Sequence, residues 1–259
     1  ERVLGVDASY NLRYGDFKAR ISGYYTRIYD QSKVISYYDD VAATFTNFAM
    51  SGIDKVHFGL EAAVSIPIYH TLALNGAVSW GQYTYDSNPY YLQTQDNSGD
   101  IVSDGYVYWK DFRVESTPQT AVNVGLSWRS NNNIYLSADF NYYNNMYLSM
   151  SPIYRTDAVI TGGMAPGDIE HLRRQEKFDS AYTLNASIGK NWYIHRKYTL
   201  GFSLDVKNIL NNQDIKTGGY EQTRLSKNTE TTVTTYQAFD SKYFYMFGTT
   251  YYLNVYFRF

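Results

Sequence analysis

Apolar and polar residues alternate one for one along most of this chain. The last nine residues, YYLNVYFRF, show it plainly. Tyr251, Leu253, Val255, Phe257 and Phe259 fall on one side, and Tyr252, Asn254, Tyr256 and Arg258 on the other. Successive side chains of a β-strand point to opposite faces, so the run predicts a strand with one apolar face. Eight more segments read the same way, at 2–14, 17–29, 56–66, 71–83, 119–129, 134–148, 181–191 and 198–208. In the first, Leu4, Val6, Ala8, Tyr10 and Leu12 oppose Asp7, Ser9, Asn11 and Arg13. Nine such segments, each near the ~9–11 residues that a tilted strand needs to cross a bilayer, predict an all-β fold.

The connections are sorted by length. Short turns at 15–16, 67–70, 130–133 and 192–197 alternate with long segments at 30–55, 84–118, 149–180 and 209–242. A transmembrane antiparallel β-barrel has short periplasmic turns and longer extracellular loops; a soluble sandwich has no reason to separate them. Asp7, Arg13, Lys18, Arg20, Glu61, Arg129, Asp139, Lys190, Asp205 and Lys207 are assigned to the polar face. An Arg or Lys facing lipid at mid-membrane costs about 2–4 kcal/mol, whereas a hydrated interior accepts it. The four long segments are therefore expected outside the cell. Residues 106–114 and 231–239 alternate imperfectly and are expected as hairpins or strand extensions above the membrane. If Phe259 is periplasmic, nine strands place Glu1 on the opposite side. Single-chain barrels have even strand numbers, and an open sheet would leave two unpaired edges in lipid. The remaining strands are expected upstream of Glu1 or on another chain.

Composition agrees. Of 259 residues, 29 are Tyr, 13 Phe and 4 Trp, yet the mean hydropathy is −0.44, which suits a wall where only alternate residues meet lipid and Tyr and Trp line the interfaces. No apolar run reaches the ~20 residues of a membrane helix. The net charge of −2 gives no reason to expect a nucleic-acid partner. With no cysteine, the sequence excludes a disulfide framework and cysteine-based metal or redox chemistry. Its first residues enter a strand without the charged and apolar regions of a signal peptide, so the sequence reads as mature or truncated.

The alternating run ending on Phe259 resembles the β-signal of bacterial outer-membrane proteins, which the barrel-insertion machinery reads. Further segments are STPQTAVNVGLSWR (116–129), FNYYNNMYLSMSPIYRT (140–156), LDVKNILNNQDIKTGGYEQTR (204–224) and YMFGTTYYLNVYFRF (245–259). Together they resemble the C-terminal part of TonB-dependent outer-membrane transporters, especially the SusC/RagA-like type and relatives with a carboxypeptidase-regulatory-like domain. The 207–211 element, Lys-Asn-Ile-Leu-Asn, is the most recognisable. The resemblance covers essentially the whole chain and implies the last nine strands of a probable 22-stranded barrel, residues 1–259 forming one portion of it. It implies energised uptake of a nutrient such as a glycan, a peptide or a metal or cofactor complex. The plug domain is absent from this chain, so coupling to TonB–ExbB–ExbD would run through a region upstream. A SusD-like surface lipoprotein lid and contacts with lipid and lipopolysaccharide are further implied partners. The alternatives are a barrel serving as scaffold or passive pore, and a rim protease.

Loop aromatics are the candidate ligand surface: Tyr37, Tyr38, Tyr90, Tyr91, Tyr106, Tyr108 and Trp109. Such rings stack on sugars or peptides, and they also pack loops together. Asp96-Asn97-Ser98-Gly99-Asp100 resembles the start of a calcium loop but lacks the following Gly and the terminal Glu, so a flexible acidic loop is expected and no cofactor is assigned. His57 near Glu61, and His171 beside Glu170 and Asp168, would have to carry a protease. His70 and His195 fall in short turns, at the wrong end for surface proteolysis. Each histidine is accounted for as a polar interior or solvated loop residue, and no catalytic role is expected.

Overall fold

The computed structural model describes residues 1–40, 42–115, 117–162, 166–195, 197–228 and 235–259. The chain is mostly antiparallel β-sheet. In order, the strands are β1 (Arg2–Tyr14), β2 (Phe17–Asp39), β3 (Thr44–Tyr69), β4 (Leu72–Tyr85), β5 (Tyr90–Gln95), β6 (Ile101–Tyr106), β7 (Thr120–Arg129) and β8 (Ile134–Asn144). A 3-10 turn (Ile153–Arg155) and two short helices follow, α1 (Asp157–Ile160) and α2 (Pro166–Arg173). Then come β9 (Ala181–Ile194), β10 (Tyr198–Lys207), β11 (Lys216–Tyr220), β12 (Leu225–Asn228), β13 (Thr235–Ala238), β14 (Lys242–Tyr245) and β15 (Thr250–Arg258).

Nine strands pair in the order β1-β2-β3-β4-β7-β8-β9-β10-β15, one for each alternating segment. The sheet is open, and β1 and β15 each have one neighbour along this path. Because every neighbour is antiparallel and the path has an odd number of strands, both edges run in the same direction. Register keeps the two faces in phase. Leu72, Trp128, Leu136, Ile188, Leu204 and Leu253 are successive cross-strand partners over six strands. One residue further along each ladder, Ser127, Ser137, Ser187, Asp205 and Tyr252 form a polar row that ends on the small Ala73. The apolar face is uncovered: Val6 is 64% exposed and Leu253 63%.

The polar face is tied by side chains. Ser137 and Ser187 hydroxyls lie 2.7 Å apart, Asn123 Nδ2 donates to Asn141 Oδ1 at 2.9 Å, and Tyr24 and Tyr83 hydroxyls are 2.6 Å apart. Three tyrosines on this face lie across a glycine of the next strand: Tyr24 over Gly59, Tyr135 over Gly189 and Tyr256 over Gly201. A Cβ on any of these glycines would enter the ring's space, so each glycine is the recess that lets a ring lie flat against the sheet.

Several expected boundaries move. The 30–55 segment is largely strand: β2 and β3 stay paired from Lys33 with Met50 to Asp39 with Thr44. Register shifts between Ile28 and Lys33, with positive φ at Asp30 and Gly52, reset which parity faces which side, and the alternation lost its phase there. β8 ends at Asn144 rather than 148, because Asn145 takes a positive φ. Lys190 opposes Ile134 and Phe202, so it belongs to the apolar face and not the polar one. It lies near the short-turn end, its ammonium 5.2 Å from the Trp192 ring and its stem free to run along apolar surface. The 84–118 segment holds the β5–β6 hairpin, which pairs with the upper part of β3. The 149–180 segment holds both helices. Of the expected 231–239 hairpin, residues 231–234 lie outside the described residues, and Thr235–Ala238 pair with Leu225–Asn228.

The Tyr–Gly pairs give a stability test. Gly189→Leu should destabilise the fold by about 1–3 kcal/mol through overpacking against Tyr135, read as a lower denaturant midpoint. Gly5→Ala, whose added Cβ would be 3.7 Å from its nearest neighbour, should leave the midpoint unchanged.

Candidate functional site

At the end opposite the short turns, the long segments fold together into a lobe, where the larger of the two buried clusters lies. It contains Phe48, Met50, Tyr91, Val107, Trp109, Met150, Ile153 and Tyr154 among others. Its pivot is Arg155, fully buried beneath the 3-10 turn. Nη1 donates to Glu221 Oε2 at 2.5 Å and to the Ser151 carbonyl at 3.0 Å; Nη2 donates to Glu221 Oε1 at 2.8 Å and to the Arg174 carbonyl at 3.4 Å. Glu221 also accepts from the Ser151 backbone N–H at 2.8 Å. One two-pronged ion pair thus joins the 151–155 turn, the end of α2 and the segment after β11. Burial of a guanidinium is tolerated because its charge and most of its donors are answered.

Two outer ties extend this core. Arg224 grips Asp40 through Nε at 2.9 Å and Nη2 at 3.0 Å, holding the Asp40 carboxyl below its usual range. Glu176 accepts from Lys216 Nζ at 2.9 Å and from the Tyr243 hydroxyl at 2.7 Å, with the ammonium 3.8 Å above the Tyr243 ring. Beside them is a cavity of about 510 Å³, lined in part by Tyr154, His171, Glu176, Glu221 and Tyr243. The 207–211 element closes the joint between lobe and sheet. Asn208, in a left-handed conformation and buried, donates through Nδ2 to the Asn212 and Phe247 carbonyls at 2.9 and 3.0 Å.

The candidate aromatics divide. Tyr37, Tyr91 and Trp109 are buried in the lobe, Tyr91 stacked on Phe48 at 4.6 Å and Trp109 against Tyr85 at 4.7 Å, so these rings hold the loops together. Tyr38, Tyr90 and Tyr106 are exposed and Tyr108 partly so. Tyr90, Tyr106 and Tyr108 group around two carboxylates. Tyr90 and Tyr106 meet edge to face at 5.7 Å, the Tyr90 hydroxyl donates to Asp104 at 2.5 Å, and the Tyr108 hydroxyl donates to Asp157 at 2.6 Å. Tyr38 instead packs on Phe45 at the tip of the β2–β3 hairpin. Residues 96–100 form the β5–β6 turn, where Asp96 accepts from Asn47 and Asp100 from Ser98. Among the described residues, no group of three or more His, Cys, Asp or Glu side chains is placed to hold a metal ion. His57 faces Tyr83 on the polar side of the sheet, and His171 is exposed on α2. His70 and His195 lie at the short-turn end.

The second surface is the polar face itself. Ala63 and Ala77, opposed across β3 and β4, floor a groove of about 650 Å³ bordered by Arg13, Lys18, Arg20 and Asn75. It continues toward the lobe as a smaller hollow of about 310 Å³ that reaches Glu61 and Tyr143.

No family model and no curated protein matches this chain. The geometry alone therefore defines the two candidate surfaces, a packed lobe with exposed aromatics and a grooved polar face. Alternation missed the lobe because its residues follow no period. A signal for it was present nonetheless: the 140–156 and 204–224 motifs contain Arg155 and Glu221, the two partners of its buried ion pair.

Replacing Glu221 with Ala should loosen the lobe by about 3–5 kcal/mol, since it strands a buried charge; limited proteolysis should then cut in 150–225 while the sheet ladders stay protected. Burial pushes the Tyr154 hydroxyl up to about 12, with Glu221 adding to the effect. An unfolded tyrosine ionises near ~10, so Tyr154 favours the folded lobe fully below that pH. This contribution should fade as pH rises from about 10 through 12, seen as alkaline onset of proteolysis that Tyr154→Phe delays.

Proposed function

We propose that this chain is part of the wall of a TonB-dependent transporter of the bacterial outer membrane, SusC/RagA-like or related, that takes up a nutrient. The observation that carries the reading is the pair of faces held in phase over nine strands, one apolar and uncovered, one polar and grooved. Soluble monomers rarely leave contiguous apolar patches beyond a few hundred Å², and lipid is a cover that needs no further protein. In a barrel the same register turns the polar face toward a hydrated interior. A position near the short-turn end suits Lys190, whose ammonium could reach the membrane surface there.

Both edge strands run in the same direction, so an antiparallel closure requires an odd number of further strands. A barrel of 22 needs thirteen more, consistent with the family's architecture. The short-turn end with Phe259 would be periplasmic and the lobe extracellular, where Tyr90, Tyr106 and Tyr108 would meet solute or a SusD-like lipoprotein. β3, with 26 residues, spans at most about 85 Å at ~3.3 Å per residue; the hydrocarbon is ~30 Å thick, which leaves its upper half to build the lobe. Coupling to TonB–ExbB–ExbD would pass through a region outside this chain. The last strand would be read by the barrel-insertion machinery, and lipid and lipopolysaccharide would meet the apolar face. The reading assigns binding and passage, with no catalytic group and no resident cofactor.

This chain has no cysteine of its own, so once any cysteine elsewhere in the full-length protein is replaced by serine, each introduced thiol reports a single position. In full-length protein in outer membranes, Val124→Cys and Leu253→Cys should resist a water-soluble maleimide. Ser127→Cys on the opposite face should react once the interior is opened to reagent, and Asp100→Cys should react on intact cells. Rapid labelling of positions 124 and 253 would sink the membrane reading.

A further inference from the structure

The cavity beside the Arg155–Glu221 pair is walled by charges that do not balance. Its volume of about 510 Å³ falls within the ~300–1,000 Å³ of small-ligand pockets. Two of its carboxylates are already answered. Glu221 takes both prongs of Arg155, and Glu176 accepts from Lys216 and from the Tyr243 hydroxyl. The end of α2 and the residues after it bring His171, Arg174 and Lys177 to the same space. None of these three side chains has a hydrogen bond, ion pair or ring contact among the described residues. By contrast Arg155, Lys216 and Arg224, in the same lobe, each hold a carboxylate. The 238–241 stretch adds Asp240 to the lining; its carbonyl accepts from Gln222, and its carboxylate has no partner among the described residues. Two cations and one carboxylate are thus left over around one chamber.

We propose that this cavity binds a small acidic sugar, its carboxylate held by Arg174 and Lys177; the proposal rests on the transporter reading and names the class of solute that the lobe admits. The Arg174 guanidinium offers a planar fork that matches a carboxylate, and the Lys177 ammonium adds a mobile point charge. The His171 imidazole is a further hydrogen-bonding group on the same wall. Asp240 accepts from ring hydroxyls, a role that a bare inorganic anion would leave unfilled. Phe239 and Tyr243 complete the chamber, each with a cation already over its ring, Arg224 at 4.3 Å and Lys216 at 3.8 Å. An acidic peptide fits less well, because an extended peptide docks by bonding its main chain to free backbone groups. Around this cavity those groups are largely taken. Leu148 N–H donates to the Glu176 carbonyl at 3.0 Å and Glu221 N–H to the Ser149 carbonyl at 2.9 Å. Arg155 Nη2 donates to the Arg174 carbonyl, and Tyr243 is paired with Gly219. Recognition is left to side chains, and the unbonded ones are two cations, an imidazole and a carboxylate.

The test is calorimetric titration of the purified full-length protein with digalacturonate, its uncharged dimethyl ester and the peptide triglutamate. Digalacturonate should bind about tenfold or more tightly than the ester, and Arg174→Gln should remove about tenfold of that affinity, as loss of a charged hydrogen bond does. Lys177→Gln should weaken binding severalfold. Both side chains are exposed and unbonded, so neither change should lower the melting temperature. Arg173→Gln should leave binding unchanged, since that guanidinium lies outside the cavity, 5.8 Å from the Tyr108 ring. No heat with digalacturonate, equal affinity for the ester, tighter binding of triglutamate, or indifference to Arg174→Gln would each overturn the proposal. Thiol protection at 124 and 253, read on the same preparation, keeps the two ideas apart: protected thiols without charge-dependent binding remove the acidic sugar and leave the wall standing.

Discussion

Everything in this molecule depends on keeping one register across nine strands. The period of a strand is two, so a slip of a single residue would carry a whole apolar row to the polar face. The ladder guards against this in several ways. The Leu72-to-Leu253 row supplies packing on one side, the serine and asparagine bonds supply polar ties on the other, and the Tyr–Gly pairs act as pegs in fixed recesses. A slipped strand would set Tyr135 against a neighbour with a Cβ. Register is therefore specified from both faces, although neither is covered by the chain itself.

The lobe is built on a different principle. Where β2 and β3 leave the regular sheet, bulges and positive φ values break the phase, and the strands bend into a structure with an inside. Polar residues concentrate at that boundary: Arg2 pairs with Asp30, Arg27 with Asp86, and Asp54 accepts from the Asp30 backbone. Above it, apolar burial and the Arg155–Glu221 pair take over from cross-strand periodicity. The two parts thus differ in what holds them, the wall by repeated local pairing and the lobe by a few long-range contacts around one buried charge.

This difference explains how much was legible in the sequence. The nine strands could be read because each residue's face follows from its parity alone, and the strand 2–14 is found as expected. The 30–55 segment read as loop because each bulge inverts parity, and a reader counting by twos sees noise. Lys190 was assigned to the polar face by its charge, although its even number places it with Ile188 and Trp192. The lobe's aromatics could be named but not sorted: Tyr90 and Tyr91 are neighbours in sequence, yet one is exposed and the other stacked on Phe48. Only tertiary packing separates them. The groove on the polar face was partly visible, since Arg13, Lys18 and Arg20 share the same face by parity, but the alanine floor emerges only when β3 and β4 are set side by side.

The span of the lobe's ties has a kinetic consequence. Within the wall, β1–β2, β3–β4, β7–β8 and β9–β10 pair over short turns, whereas Arg155 waits for a residue 66 positions later and Asp40 for one 184 positions later. Closing such distances costs chain entropy before any contact rewards it. The lobe therefore sets last, once β10 has been laid down and the segment carrying Glu221 and Arg224 can fold back across it. Until that moment Arg155 has no counter-charge, and the aromatic core beneath it is open to water. Arrival of the chain's last sixth, which carries Glu221 and Arg224, is what converts four separate loops into one body.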